Sequence, residues 1–401
     1  MKILVVHEVN YLSKTIYEFQ ILPEILSTLG HSVTVVDYND SWSTETSSAL
    51  WSGAQVHSPV HRAYDTARIT LHRPAMIRIP GLARFSGAIA SGLEVAGLLK
   101  RAAADVVLLY GLPTVGIQTL LSARAHGIPV AFRAIDVTHE LVPYRLLAPP
   151  AHLLAKLIFN NVDLNIALTP LIRNYIQAYG VPENKTRLLP SGVDTTLFSP
   201  GPKNGELLVR WGIAADDPVV LFMGTIYRFS GLDRVIRDWR RLLSTHSRAK
   251  LLIVGAGEDR KRLEGLAAES GVASNVIFAG MQPYSLLPDI IRSIDACINP
   301  FELNGVTEKI LPTKLFQYLA CGKPVVATRL PGTLPFLSGE DDGVIYAEAH
   351  ETVDTLNKVI ADSALRAGLG RKGVAAAGKY DWTEIANQMA SWLAELVVRR
   401  S

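Results

Sequence analysis

The spacing of short β-branched runs constrains this chain more than any other feature. ILVV (3–6), VTVV (33–36), DVVLLY (105–110), PVAFRAI (129–135) and LNIAL (164–168) mark the first half. VVLFMG (219–224), KLLIVG (250–255), NVIFAG (275–280), ACINP (296–300) and PVVAT (324–328) mark the second. Runs that are apolar throughout belong to strands covered on both faces, and parallel neighbours need a crossover of helix length. Such segments do separate the runs, so the pattern predicts an α/β protein with two doubly wound, Rossmann-like sheets. At 401 residues the chain has room for two cores.

Gly, Pro and Ser gather in SGVDTTLFSPGPKNG (191–205), the composition of a hinge. The expected division is a first domain over 1–195, a second over 196–380 and a tail over 381–401. In that tail Trp382, Ile385, Met389, Trp392, Leu393 and Leu396 recur at helical spacing, which predicts an amphipathic helix.

Apolar residues make up 48% and charged residues 19%, so both halves bury cores. A net charge of +3 is too small to mark a nucleic-acid binder. The two cysteines, Cys297 and Cys321, lack metal-ligand spacing and fit a reducing, cytoplasmic setting. The opening MKILVVHEVNY has an apolar run too short for a secretory leader and fits a buried strand. A bilayer span needs roughly 18 apolar residues. The longest candidates are interrupted by Glu94, by Pro149 and Pro150, or by Lys156. The expectation is a soluble or peripheral protein.

Ligands of doubly wound sheets sit beyond the carboxyl ends of the strands. After VVLFMG the chain reads GTIYRFSGLDRVIRDWRRL, where a strand ends at Gly224 and a helix starts near Gly231. Free backbone N–H groups there attract phosphate, and Arg228 adds a charge. A plain Gly-shaped turn with a solvated Arg228 explains the loop equally. VGAGED (254–259) places Gly255 at a second strand-to-helix turn, which close packing also explains. FAGMQPY (278–284) ends a third strand, where Met281 and Gln282 have free backbone groups for a base edge. In KILPTKLFQYLACGKPVVAT (309–328), Pro312 fits a first helical turn, and Lys314 and Gln317 share a face. Lys314 suits a phosphate and Gln317 vicinal hydroxyls. Three strand ends of one character in one half favour a phosphate-bearing ligand.

Taken in order, GTIYRFSG, VGAGE, FAGMQPY and PTKLFQYLACGKPVVAT resemble the donor-binding half of the retaining family-four glycosyltransferases, a glycogen-synthase-like and mannosyltransferase-like group with the GT-B fold. GHSVTVV (30–36) and YGVPENKTRLLPSGVDTTLFSP (179–200) agree in the first half, the GVD-x-x-x-F-x-P linker being the most specific match. YDWTEIANQMASWLAEL resembles the family's final helix, which returns to the first domain. The similarity covers essentially the whole chain and is poorest over 40–100.

The resemblance implies two domains facing across a cleft and a UDP- or GDP-sugar donor on the second. It implies a glycan or lipid-linked acceptor on the first, with neither cofactor nor metal. Arg228 and Lys314 would hold the leaving diphosphate. Gly224, Thr225, Ser230, Gly255, Met281, Gln282, Glu308, Leu311, Pro312, Thr313 and Gln317 would touch the donor. This chain departs from the family at telling places. Thr225 and Ser230 stand where an Arg and a Lys usually bind diphosphate, and Gln317 replaces the Glu that binds ribose. Lys309, beside Glu308, occupies the position of the other usual Glu.

In the first half, FRAIDVTHELVPYR (132–145) follows a strand and carries Asp136, His139 and Glu140. The resemblance places a polar His near the reacting sugar, and His139 is the candidate with Asp136 second; a helix-capping surface His is the competing reading. HEVNYLSKT (7–15) replaces the family's Gly-rich loop and offers Asn10, Ser13, Lys14 or Thr15. Residues 61–101 mix nine basic side chains, among them Arg62, Arg68, Arg73, Arg84 and Lys100, with apolar ones. Solvated helices over an ordinary core explain that mixture; so does contact with an anionic membrane on its inner face. Two other function classes stay open: a sugar-nucleotide epimerase of the same fold, and a non-catalytic scaffold with weakened donor binding.

Overall fold

The computed structural model describes residues 1–40, 49–101, 104–137 and 148–400. These form two compact units: unit 1 is Met1–Pro190 with Trp382–Ser401, and unit 2 is Ser191–Asp381.

Unit 1 runs β1 (Lys2–Val6), α1 (Glu18–Thr28), β2 (Ser32–Val36), β3 (Trp51–Ser52), β4 (Gln55–Val60), β5 (Ile69–Arg73), β6 (Met76–Ile77), α2 (Leu82–Lys100), β7 (Val106–Leu109), α3 (Gly116–Ala125), β8 (Val130–Ala134), α4 (Ala148–Asn161), β9 (Leu164–Ala167), α5 (Pro170–Gln177) and β10 (Thr186–Leu188). Its main sheet has the order β10-β9-β8-β7-β1-β2-β5-β4, parallel except for β4. Strand order reverses between β1 and β7. Every residue of β7, β8 and β9 is buried, which is why these segments read as unbroken apolar runs. The strands β4, β5 and β10 were not apparent from the runs: β4 and β10 are sheet edges, and β5 mixes Thr70, His72 and Arg73 with its buried Ile69 and Leu71.

Unit 2 runs α6 (Gly205–Val209), β11 (Val219–Met223), α7 (Leu232–Leu243), β12 (Lys250–Val254), α8 (Arg260–Glu269), β13 (Val276–Gly280), α9 (Leu287–Arg292), β14 (Ala296–Asn299), α10 (Lys314–Ala320), β15 (Val325–Ala327), β16 (Val344–Tyr346), α11 (Thr352–Ala361) and α12 (Ser363–Ala377). The sheet is all parallel in the order β13-β12-β11-β14-β15-β16, reversing between β11 and β14. Helix α7 shows why its sequence folds as it does. Leu232, Val235, Ile236, Trp239 and Leu242 make one buried stripe, while Arg234–Asp238 and Arg237–Asp233 pair at i,i+4 outside, at 2.7 and 2.9 Å.

The final helix, α13 (Trp382–Arg400), belongs to unit 1 and packs on α1. Arg187–Glu395 at 2.6 Å and Arg400–Asp163 at 2.8 Å fasten it. The linker motif has a local cause too. The Asp194 carboxylate accepts from Thr196 N and Leu197 N to fold a turn, and Phe198 is fully buried behind it.

Helix α2 corrects one expectation. Among the described residues it is long and apolar enough in composition to cross a membrane. In this fold it is a layer of unit 1 instead. It packs on α3, β6 and β2, and its single carboxylate, Glu94, meets His72 on β5 at 2.8 Å.

Candidate functional site

The strand ends of unit 2 collect buried polar atoms that have no partner among the described residues: Lys314 Nζ, both amide atoms of Asn299, Thr328 Oγ1 and Ser230 Oγ. Each such atom costs about 1–3 kcal/mol in a folded interior, so a cluster of them marks a place held open for something else.

Lys314 is the centre of this arrangement. Tyr318, one turn later on α10 and fully buried, accepts a hydrogen bond from Met223 N at 2.7 Å, which ties the helix to the end of β11. That contact brings the Lys314 ammonium over the ring of Phe222 at 4.1 Å and that of Phe301 at 4.3 Å. Phe222 lies on β11 and Phe301 just beyond β14, so the ammonium stands where strand order reverses. The residue keeps some exposed surface, but its nitrogen is covered. Burial pushes its pKa down to about 7, and no neighbouring charge opposes that shift. Two aromatic faces stabilise the cation only partly.

Glycines make the room. A Cβ on Gly224 would lie 3.2 Å from Lys314 Nζ, and one on Gly231, at φ +69, would lie 1.7 Å from Pro300 O. The loop between them is Thr225, exposed, and a turn of 3-10 helix over Arg228–Ser230. Gly255 sits beside it, where a Cβ would meet Gly224 O at 2.0 Å. Arg228 is exposed and makes no hydrogen bond or ion pair among the described residues.

Other sites named from the sequence fall as follows. Met281 is exposed, and Gln282 Nε2 donates to Ala279 O at 2.8 Å, folding its side chain back on its own strand. Glu308 pairs with Lys309 at 2.7 Å. Leu311 and Pro312 are buried, and Pro312 precedes α10 rather than opening it, because Thr313 is the N-cap. Gln317 is half-buried on α10. Phe222, Phe301, Tyr318 and Asn299 are missing from the sequence reading. Phe222, Asn299 and Tyr318 sit inside runs read as strand or helix and Phe301 just past one, and nothing local distinguishes a ring that faces an ammonium from one that fills a core.

In unit 1, His139 and Glu140 lie outside the described residues. Asp136 is half-buried after β8, and its carboxyl is raised to about 6, by burial first and then by Glu18. Asn10 is a structural residue: its Oδ1 accepts from Leu12 N, Ser13 N and the Arg73 guanidinium, folding the loop it starts. Lys14 pairs with Asp40 at 3.0 Å. Two residues at the end of β1 were not singled out. His7 is fully buried, its pKa lowered to about 4 by burial, so it is neutral at pH 7. Glu8 accepts from Thr114 N at 2.7 Å and Val115 N at 3.1 Å at the start of α3, with Arg84 at 3.8 Å. Among the described residues no group of three His, Cys, Asp or Glu is placed to hold a metal ion.

Comparison with known proteins agrees with this architecture. A D-inositol 3-phosphate glycosyltransferase of Acidothermus cellulolyticus is 32% identical over 221 residues, 52% of this chain and 48% of that protein. A GDP-mannose-dependent alpha-(1-6)-phosphatidylinositol monomannoside mannosyltransferase of Mycolicibacterium smegmatis is 28% identical over 249 residues, 61% of this chain and 65% of that one. The chain thus spans about half the length of the first curated relatives it matches. The solved sucrose-phosphate synthase of Thermosynechococcus elongatus shares the fold at a TM-score of 0.75 and 18% identity, with all of both chains covered. The description "Glycosyltransferase Family 4" matches residues 24–197 and "Glycosyl transferases group 1" matches 205–376, one on each side of the linker. With both halves matched in this order on two Rossmann-like sheets, the chain belongs to the family-four glycosyltransferases of GT-B fold.

Proposed function

We propose that the protein is a retaining hexosyltransferase. It moves a sugar from a nucleotide-sugar donor to a glycan or lipid-linked acceptor in surface polysaccharide or glycolipid synthesis. The observation that carries this reading is the Lys314 ammonium, covered and, among the described residues, without a counter-charge where unit 2's strand order reverses. A donor diphosphate supplies the missing anion. As the glycosidic bond breaks, negative charge builds on the leaving phosphate, and a preoriented cation in a dry setting stabilises that charge most. Arg228 is free to add a second cation from the loop, and Gln317 to bond ribose hydroxyls. On the acceptor side, Asp136 and His139 keep their proposed roles beside the reacting hydroxyl. The donor is a substrate, and the reading calls on neither a resident cofactor nor a metal. The Mycolicibacterium relative is named for GDP-mannose and a phosphatidylinositol-bearing acceptor, which supports a GDP-sugar and a lipid-linked acceptor here. Two buried free cysteines suit a cytoplasmic setting, at the inner face of the membrane.

Calorimetry with UDP, GDP and the parent nucleosides tests the reading. Lys314→Ala should weaken diphosphate binding about 10–100-fold and nucleoside binding little. Equal losses would remove Lys314 from the phosphate site. Binding of neither nucleotide by the wild type would make the protein a scaffold. Interconversion of a UDP-sugar without acceptor would make it an epimerase. The anomeric configuration of the product, read by NMR, decides retention.

A further inference from the structure

Helix α2 is amphipathic the wrong way round for a core helix. Over its first turns the residues it buries are small, Ala83, Gly87 and Ser91, and only its last turns bury large ones, Val95, Leu98 and Leu99. The contact is tight: a Cβ on Gly87 would lie 2.5 Å from the Tyr38 ring, and one on Gly92 2.9 Å from Gln118 Cγ. The large apolar side chains point outward, with Leu82 48%, Phe85 68%, Ile89 53% and Leu93 71% exposed. Their spacing of three, four and four residues makes one stripe.

The neighbouring elements continue the pattern. Helix α3 packs on α2 and exposes Leu121; α4 packs on α3 and exposes Leu153 and Leu157. The β3–β6 ribbon is held to the first turns of α2 by Ile77 N donating to Ser86 Oγ at 3.0 Å, and it leaves Trp51 59% exposed. Across α2, α3 and α4 the sequence has one acid, Glu94, which is held by His72 at 2.8 Å, against Arg84, Lys100, Arg124 and Lys156. By contrast Arg62 and Arg73, from the basic stretch noted in the sequence, turn inward, while Arg68 stays exposed. Arg62 and Arg68 bond backbone carbonyls, and Arg73 meets Asp37.

We infer that the α2–α3–α4 face of unit 1 is a docking surface for an anionic lipid bilayer, with the Leu82–Leu93 stripe and Trp51 seated at the acyl boundary. Exposed apolar groups interleaved with cations and a Trp match that boundary. A second copy of the chain fits worse, because a two-fold contact sets this cationic face against itself. The stripe begins beside the strand ends, since Arg84 reaches Glu8 at the end of β1. The inference rests on the proposed lipid-linked acceptor for its purpose: such an acceptor would reach unit 1 without leaving the bilayer.

Flotation of the full chain tests it, with vesicles of phosphatidylcholine alone and of phosphatidylcholine mixed with phosphatidylglycerol. The wild type should float with the mixed vesicles and much less with the neutral ones. The variant Phe85→Asp/Ile89→Asp/Leu93→Asp, whose changes are all exposed, should lose partitioning about tenfold or more while keeping its circular dichroism and its nucleotide binding. Lys100→Glu with Lys156→Glu should lower partitioning several-fold on anionic vesicles only. A folded triple variant that floats like the wild type would overturn the inference. So would a wild type that light scattering shows as a dimer and a triple variant that is monomeric. Nucleotide binding is read separately, so failure here leaves the donor reading standing.

Discussion

Around the strand ends of unit 1, carboxylates meet cations or backbone N–H groups of the same unit. Glu18 and Arg133, both fully buried, join at 2.6 and 3.0 Å, with Arg133 also donating to Leu189 O. Asp37 takes Arg73, and Glu8 takes the first N–H groups ahead of α3. Around the strand ends of unit 2, the Lys314 ammonium meets, among the described residues, only ring faces and a glycine. The same Rossmann-like plan therefore carries settled charges in one unit and an unsettled one in the other. A settled buried pair holds a fold in register. An unsettled buried cation destabilises its own fold and is tolerated where a ligand completes it.

The sharpest way to break this contrast is to neutralise one cation in each unit and compare the sign of the stability change. Arg133→Met strands the Glu18 carboxylate in the core and should cost about 3–5 kcal/mol in urea unfolding. Lys314→Met should go the other way. The folded-state pKa of about 7 lies below the ordinary value of 10.5, so between these the unfolded chain binds more protons and wild-type stability rises with pH. At or below neutral pH the Met variant should therefore be more stable by about 1–3 kcal/mol, even as nucleotide affinity falls. If both variants lose stability, Lys314 is a structural lysine and the contrast fails.

Much of this was legible in the sequence, and the losses have physical causes. All ten apolar runs became parallel strands, because burial on both faces leaves an unbroken apolar record. Lys314 was legible as a phosphate candidate from its place behind a loop. Its cage of Phe222 and Phe301 was not, since those rings come from β11 and from the segment after β14, 92 and 13 residues away in sequence. The sense of α2 was hidden as well. Periodicity reports that apolar residues share a stripe, but not that Ala and Gly on the other side supply the packing face. Which cations of 61–101 turn inward depends on carbonyls and carboxylates brought in by the fold.

A second measurement sharpens the contrast through protons. Above pH 7 the free protein holds Lys314 largely as neutral amine, whereas a bound diphosphate would hold it protonated. Binding of GDP or UDP at pH 8 should therefore take up nearly one proton, seen as a dependence of calorimetric heat on buffer ionisation enthalpy, and at pH 6 almost none. Affinity should fall up to about tenfold per pH unit above neutrality. Lys314→Ala should erase the proton uptake. Uptake that persists in that variant would assign the proton to the phosphate or to another residue.

The smallest effect concerns the exception in unit 1. Asp136 stands near Glu18 and, among the described residues, makes no hydrogen bond of its own. Its folded pKa of about 6 exceeds the ordinary 3.8, so the folded chain binds the extra proton. The stability it contributes is present below pH 4 and lost as pH rises through 6. Asp136→Asn should match the wild type at pH 4 and exceed it by about 1 kcal/mol at pH 7, discounted because the residue is half-exposed. Stability alone does not separate a misfit carboxylate from a working one, but turnover does. A carboxylate that positions the acceptor hydroxyl loses turnover as Asn while donor affinity holds. One that merely tolerates its place gains stability at no kinetic cost, and unit 1 would then have no unsettled charge with a purpose.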